Sequence, residues 1–260
     1  MVFLLDITRA CSIITMLLIG SYYDIKKREI DDWVWLLSLP ALAVSLYYLY
    51  TGALGSGYAV WAVGLGIVLV LSLALYYLGL FGGADAKALV AIAASIPNGA
   101  PPFVSQIPIF ALTVLDNAVV LSVFYAIILI ARNLLRAVLA KDYFGRYDTA
   151  PIHVKLALLI SDKSSAKYYL EHSYKLFLSE KVSVDSQGCL RFEVSPWKLG
   201  IVDDAEPFIR DLVSKGILKP QDELWVSTGL PLVVFMFLGV MLTPVLHDLV
   251  ITFVKSVITF

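Results

Sequence analysis

Cysteine is nearly absent from this chain. Cys11 falls in an apolar segment and Cys189 in a polar one, and two thiols so far apart supply neither a disulfide framework nor a metal-ligand set. Charge is scarce too: 16% of the 260 residues are Asp, Glu, Lys or Arg, against 59% hydrophobic, and mean hydropathy is +0.82. Those values exclude an ordinary soluble domain and place most of the chain in a bilayer. A basic excess is also missing. The formal net charge is −1 and acids are interleaved among the Lys and Arg, so there is no polybasic face and no nucleic-acid partner is expected. His153 and His172 lack an acidic or thiol partner at ligand spacing and read as surface or packing residues. No metal site is expected.

The charge that is present is uneven. Residues 141–228 hold 25 of the 41 charged side chains, which marks a water-exposed insert in a membrane protein. Apolar runs suggest six transmembrane helices over 3–23, 33–51, 57–80, 85–97, 108–139 and 229–254, since roughly 20 apolar residues cross about 30 Å of hydrocarbon. The fourth is short and reaches across only with help from flanking residues or a thinner bilayer. Pro97, Pro101, Pro102 and Pro108 break the chain between the fourth and fifth. The expected fold is therefore an α-helical membrane protein: five helices in 1–140, an α+β cytoplasmic domain over 141–228, and a last helix in 229–260. Lys26, Lys27, Arg28, Lys87, Arg132 and Arg136 fall on one side of the membrane and Arg9 and Lys255 on the other, which assigns the first group to the cytoplasm. The first span lacks the basic flank and cleavage site of a signal peptide.

Within the insert, Ser164 to Leu178 reads as helical, and KVSVDSQGCLRFEV as two strands around an Asp185 to Gly188 turn. A short amphipathic helix is expected over 203–215, capped by Asp203 or Asp204 and stopped by Gly216, with a strand near Leu224.

Two aspartates, Asp24 and Asp85, stand where apolar segments pass into basic turns. An isolated carboxylate near hydrocarbon costs roughly 2.5 to 3.5 kcal/mol on insertion scales, so two of them invite a joint explanation. Two carboxylates held a few Å apart cannot both ionise cheaply. They hold one proton between them and titrate as a unit, which lets the pair deprotonate water and protonate a leaving amine. Gly82 and Gly83 either allow close approach of a second backbone near Asp85 or merely shorten the connection between two spans. Lys87 brings a cation close to Asp85. For Asp24 alone, the competing reading is an interfacial acid paired with its basic neighbours. Asp116 and Asn117 read as structural, bonding between helices or capping one. Tyr22, Tyr23, Trp33 and Trp35 suit an interfacial aromatic belt, and Arg132 and Arg136 anchor a helix end by snorkelling.

The segment DIKKREID resembles the first aspartate motif of the prepilin peptidase family, and GGADAKAL resembles its second, the membrane Gly-x-Gly-Asp motif with Ala84 in place of the second Gly. The similarity is to the archaeal branch, the preflagellin and type IV prepilin peptidases, and LWVSTGLPLVVFMFLG looks like that branch's entry into its last span. The resemblance implies an intramembrane aspartyl endopeptidase in the cell membrane with its active site at the cytoplasmic face. It would remove a short basic leader from pilin-like or archaellin precursors, with Asp24 and Asp85 catalytic and no cofactor or zinc. Glu29, Asp31 and Asp32 are candidates to attract the leader, or balance Lys26, Lys27 and Arg28. A signal-peptide-peptidase-like protease and a small proton-coupled transporter using Asp24 and Asp85 as relay groups are the competing readings. The transporter reading calls for acids near the midplane and inverted repeats, and neither is evident.

Overall fold

Long apolar runs dictate helices in the membrane, because hydrocarbon offers no partner to a backbone N–H or C=O. In the computed structural model, residues 2–53, 57–97, 103, 105–140, 142–185, 187–194 and 205–258 are described. The chain divides into two units, Met1–Val123 with Pro231–Phe260, and Phe124–Leu230. The first contains α1 (Val2–Lys27), a 3-10 segment (Asp32–Ser38) running into α2 (Leu39–Tyr50), α3 (Gly57–Tyr77), α4 (Gly83–Ser95), the start of α5 (Phe110–Leu139), α9 (Leu232–Leu246) and α10 (Leu249–Ile258).

Among the described residues, Phe3–Lys27, Asp32–Tyr50, Gly57–Tyr77 and Phe110–Leu139 are long and apolar enough to cross a membrane. Taking α9 and α10 as one span bent by 44° makes five, one fewer than the six expected. The missing one is α4. Its 13 residues rise about 20 Å, against about 30 Å of hydrocarbon. Pro97 explains the early stop: a residue before proline is driven out of the helical region, and Ile96 sits at φ −126°, ψ 87°.

Ile13, Met16 and Leu17 of α1, Leu89 and Ile92 of α4, Phe110 and Val114 of α5, and Val233, Met236 and Val240 of α9 form the buried interior of this unit. Large apolar side chains remain uncovered on the other faces, among them Leu18, Leu46, Val70, Val123 and Leu238. Water would penalise that surface, whereas acyl chains cover it at no cost. The chain is a multi-pass membrane protein. Helices touch where side chains are small: a Cβ on Gly239 of α9 would lie 3.0 Å from the Val114 carbonyl oxygen of α5.

The last span differs from the single helix expected over 229–254. His247 takes φ +56°, ψ −130° between α9 and α10. Asn117 of α5 stitches that break, donating to the His247 carbonyl at 2.9 Å and accepting from the Leu249 N–H at 2.9 Å. Asp248 caps α10 by accepting from the Ile251 N–H at 2.8 Å. The structural reading of Asn117 thus has its partners.

The second unit carries the end of α5, α6 (Ile152–Leu158), β1 (Asp162–Ser165), α7 (Ala166–Glu171), β2 (Phe177–Leu178), β3 (Lys181–Val184), β4 (Leu190–Glu193), α8 (Ala205–Ser214) and β5 (Glu223–Ser227). One antiparallel sheet has the order β1-β5-β2, and β3 pairs β4 as a hairpin. The segment expected to be one helix from Ser164 to Leu178 is instead strand, helix and strand. Pairing of Asp162 with Val226 and of Leu178 with Val226 draws both ends into the sheet, and Ser165 starts α7 by accepting from the Tyr168 N–H at 3.2 Å. Asp203 and Asp204, the expected caps of α8, lie outside the described residues.

Leu178, Ile209, Leu218 and Leu224 pack the larger core of this unit, and Tyr147, Leu158 and Trp225 a smaller one. Glu180 is buried between them. It accepts from the Tyr147 hydroxyl at 2.6 Å and the Trp225 N–H at 2.9 Å, and burial pushes its carboxyl above the ordinary value. Arg132 and Arg136, read as snorkelling anchors, instead grip Asp162, Arg132 through two contacts of 2.6 and 2.7 Å. Asn133, fully buried, donates to the Leu159 and Ser161 carbonyls at 2.9 Å each.

Candidate active site

Asp24 occupies the last turn of α1. The chain leaves that helix through Arg28 at φ +59°, a left-handed conformation uncommon for a residue with a side chain. There the Arg28 guanidinium sits 3.6 Å from Asp24 Oδ1. On its other side Asp24 meets the start of α9, whose Val233 and Val234 N–H groups approach the carboxylate. A helix N-terminus is a favourable place for an anion, because its first N–H groups and dipole point outward. Two contacts put α9 there: Ser21 donates to the Val233 carbonyl at 3.4 Å, and Gly20 leaves room for the Val233 side chain. Asp24 Oδ2 is buried and makes no hydrogen bond.

Asp85 lies in the first turn of α4. Its Oδ2 accepts from the Gly82 N–H at 2.8 Å, so an acid three residues into the helix satisfies the donor of the capping residue. Gly82 is in ordinary extended backbone, φ −73°, ψ 160°. Its lack of a side chain serves proximity instead: a Cβ there would lie 3.2 Å from Asp85 Oδ2. Gly83 has no comparable constraint, with Tyr76 at ordinary contact distance from where its Cβ would be. The charges that act on Asp85 are Asp24 and Arg28. The two aspartates, 61 positions apart in sequence, are therefore electrostatic neighbours at one end of the membrane unit, with one cation beside them.

The remaining candidates lie farther from the pair. Lys87 is bound to Asp32 at 2.5 Å, while Glu29 and Asp31 are exposed. Tyr23 packs edge-on against Trp33, ring centroids 6.2 Å apart, with the Lys27 ammonium over its face. Trp35, read as part of the aromatic belt, lines a chamber beside α4 together with Ser38 and Ser72. No local signal marked the serines. Arg28 was legible as the cation four residues after Asp24; the Val233 and Val234 amides were not, because only the tertiary fold brings them from the far end of the chain. Among the described residues, no group of three or more His, Cys, Asp or Glu side chains gathers as a metal-ligand set.

Paired acids at the rim of a helical membrane unit, one oxygen of them unpartnered, define a membrane peptidase of the aspartic type. Residues 11–135 match the type IV leader peptidase family. Over 254 residues the chain is 27% identical to a preflagellin peptidase of Methanocaldococcus jannaschii, covering 93% of this chain and 94% of that protein. A preflagellin peptidase of Methanococcus voltae is 33% identical over 135 residues, 48% of this chain and 58% of that one. One from Methanococcus maripaludis is 22% identical over 249 residues, 91% and 94% of the two chains. The chain belongs to the type IV leader peptidase family.

Proposed function

We propose that Asp24 and Asp85 are the catalytic pair with which this leader peptidase cuts pilin-like or archaellin precursors at the cytoplasmic face of the membrane. The observation that carries this reading is the electrostatic contact of the two carboxylates at one end of the unit. The relatives named as preflagellin peptidases support the substrate class. One carboxylate takes a proton from water as the oxygen attacks the scissile carbonyl, and its neighbour donates a proton to the carbonyl oxygen. Collapse of the tetrahedral intermediate then returns a proton to the leaving amine. Arg28 and the α9 N-terminus hold Asp24 in place between turnovers. Lys26, Lys27, Arg28 and Lys87 surround this end, and a basic flank favours the cytoplasm. In this reading α4 with its flanks is the sixth crossing, and 141–228 is the cytoplasmic insert. Asp32 is the acid best placed to meet a basic leader, by exchanging Lys87 for it, with Glu29 and Asp31 exposed nearby.

The test is cleavage of a precursor from the same cell, read by N-terminal sequencing of the product. Asp24→Asn and Asp85→Asn should each lower turnover by at least about a thousandfold, since a group that works as a pair loses its function with either member. Both variants should still fractionate with membranes. If either retained near wild-type turnover, the two-aspartate mechanism would be wrong.

A further inference from the structure

A chamber of about 470 Å³ lies in the membrane unit between the 3-10 segment, α3 and α4. Ala86, Lys87, Val90, Ala91 and Ala94 make one wall, a single stripe of α4 that begins one residue after Asp85, and Leu69, Ser72 and Leu73 of α3 make another. The Lys87–Asp32 ion pair belongs to the lining, with both side chains largely exposed at 54% and 81%. The chamber is thus charged at the Asp85 end of α4 and apolar along the rest of that helix. Two donors in the lining have no partner: Ser72 Oγ, on a residue 1% exposed, and Trp35 Nε1.

Unpaired buried donors normally carry a penalty of about 1–3 kcal/mol each, so a chamber that keeps two has room for something that accepts from them. The acceptors that fit are peptide carbonyls. A scissile bond is attacked only in unwound chain, and unwinding near hydrocarbon strands carbonyl oxygens that water does not reach. Size agrees. An α-helix 10–12 Å across fills about 500 Å³ per turn, so the chamber takes a few residues of extended chain and excludes a whole helix.

We propose that this chamber is the subsite for the first residues on the mature side of the cleavage point, with Ser72 and Trp35 as hydrogen-bond donors to their backbone carbonyls. The assignment rests on the leader-peptidase reading above. The polarity of the chamber sets the direction: the basic leader stays at the charged mouth by Asp32, and the apolar start of the mature segment runs down the Ala-lined wall. Small residues at 86, 91 and 94 keep that wall open to the substrate.

The experiment is precursor cleavage by the purified full chain. Ser72→Ala and Trp35→Phe each remove one donor and should raise KM roughly threefold to tenfold. Ala94→Leu fills the chamber and should raise KM by more than about tenfold for the native precursor. It should recover most of that loss with a precursor whose first three mature residues are alanine. An equal KM change for both precursors would show a merely structural effect and overturn the proposal. So would unchanged KM in all three variants, which would leave the chamber to lipid. Binding separates this question from catalysis: in an Asp85→Asn background, Ala94→Leu should weaken retention of labelled native precursor and spare the alanine form. If Asp24→Asn and Asp85→Asn are inactive while the chamber variants behave as wild type, only the subsite assignment fails. If those Asn variants still cleave, the dyad fails and the precursor-dependent KM shifts stand by themselves.

Discussion

At the residue scale, the two sites where acids are buried call for opposite treatments. Asp24 meets N–H groups and a guanidinium and leaves one oxygen unpartnered, an arrangement ready to receive water. Glu180 has both oxygens occupied, by Tyr147 and Trp225, and functions as a structural bond. Asp24 and Asp85 were legible from sequence because each breaks an apolar run. Glu180 was not, because in a charged stretch nothing distinguishes an acid that will be buried from one that stays in water. The buried acid has a pH signature. Desolvation raises its carboxyl above the ordinary value despite the hydrogen bonds and Arg146, which act the other way. The protonated form is therefore favoured by folding, so its contribution to stability is complete below about pH 4 and is lost as pH rises through the folded value. Asp185 and Glu206 have the opposite sign, since the N–H groups of Cys189 and Gln187 lower the first and the Ser173 hydroxyl and Arg210 lower the second. Their stability is lost as pH falls. Comparing wild type with Glu180→Gln cancels those two. Amide exchange at Trp225, whose N–H bonds Glu180, should lose protection in wild type relative to the variant as pH climbs from 4 to 8, after correction for intrinsic exchange. A constant difference across that range would show that Glu180 does not titrate there.

At the element scale, run length and hydropathy were sufficient for α1, α3 and α5, which are long and apolar. They failed where a contact from elsewhere decides the outcome. Apolarity continues across the α9–α10 break, so nothing local announces it; the break is held by Asn117 from α5 and a left-handed His247. Likewise Ser164 and Leu178 have no intrinsic need to be strand, and partners near Val226 recruit both ends. Pro97 was a visible stop, and it trims α4 below spanning length. The α5–α9 seam is open to test. A side chain at Gly239 would press on the Val114 carbonyl at 3.0 Å and on the Asn117 Cβ at 3.3 Å, and a backbone carbonyl inside a helix cannot rotate away. Gly239→Val should cost about 1–3 kcal/mol, read as a lower Tm of the detergent-solubilised protein, with Gly239→Ala between it and wild type. A Tm unchanged by valine would mean that the seam yields and that α9 is not seated on α5 this closely.

At the scale of the whole molecule, the sequence divided the chain by charge, while the structure divides it by packing. The boundary read at 141 from charged residues falls inside a unit that begins at Phe124. The difference is physical: the last turns of α5 are still apolar in composition, yet Asn133 and Arg132 attach them to Ser161 and Asp162, so they pack with the insert. Orientation in the membrane follows from the basic residues, and the native thiols report it. Cys189 is exposed in the second unit, and Cys11 is exposed on the first span, where hydrocarbon keeps a charged reagent away. A membrane-impermeant maleimide should leave Cys189 unlabelled in intact cells and label it once the membrane is opened, and Cys189→Ser should abolish the signal. The same orientation puts Asp24 and Asp85, among Lys26, Lys27 and Lys87, on the side where precursors are made. Labelling of Cys189 in intact cells would reverse the assignment, carry the aspartate pair to the outer face, and require precursors to cross the membrane before their leaders could be removed.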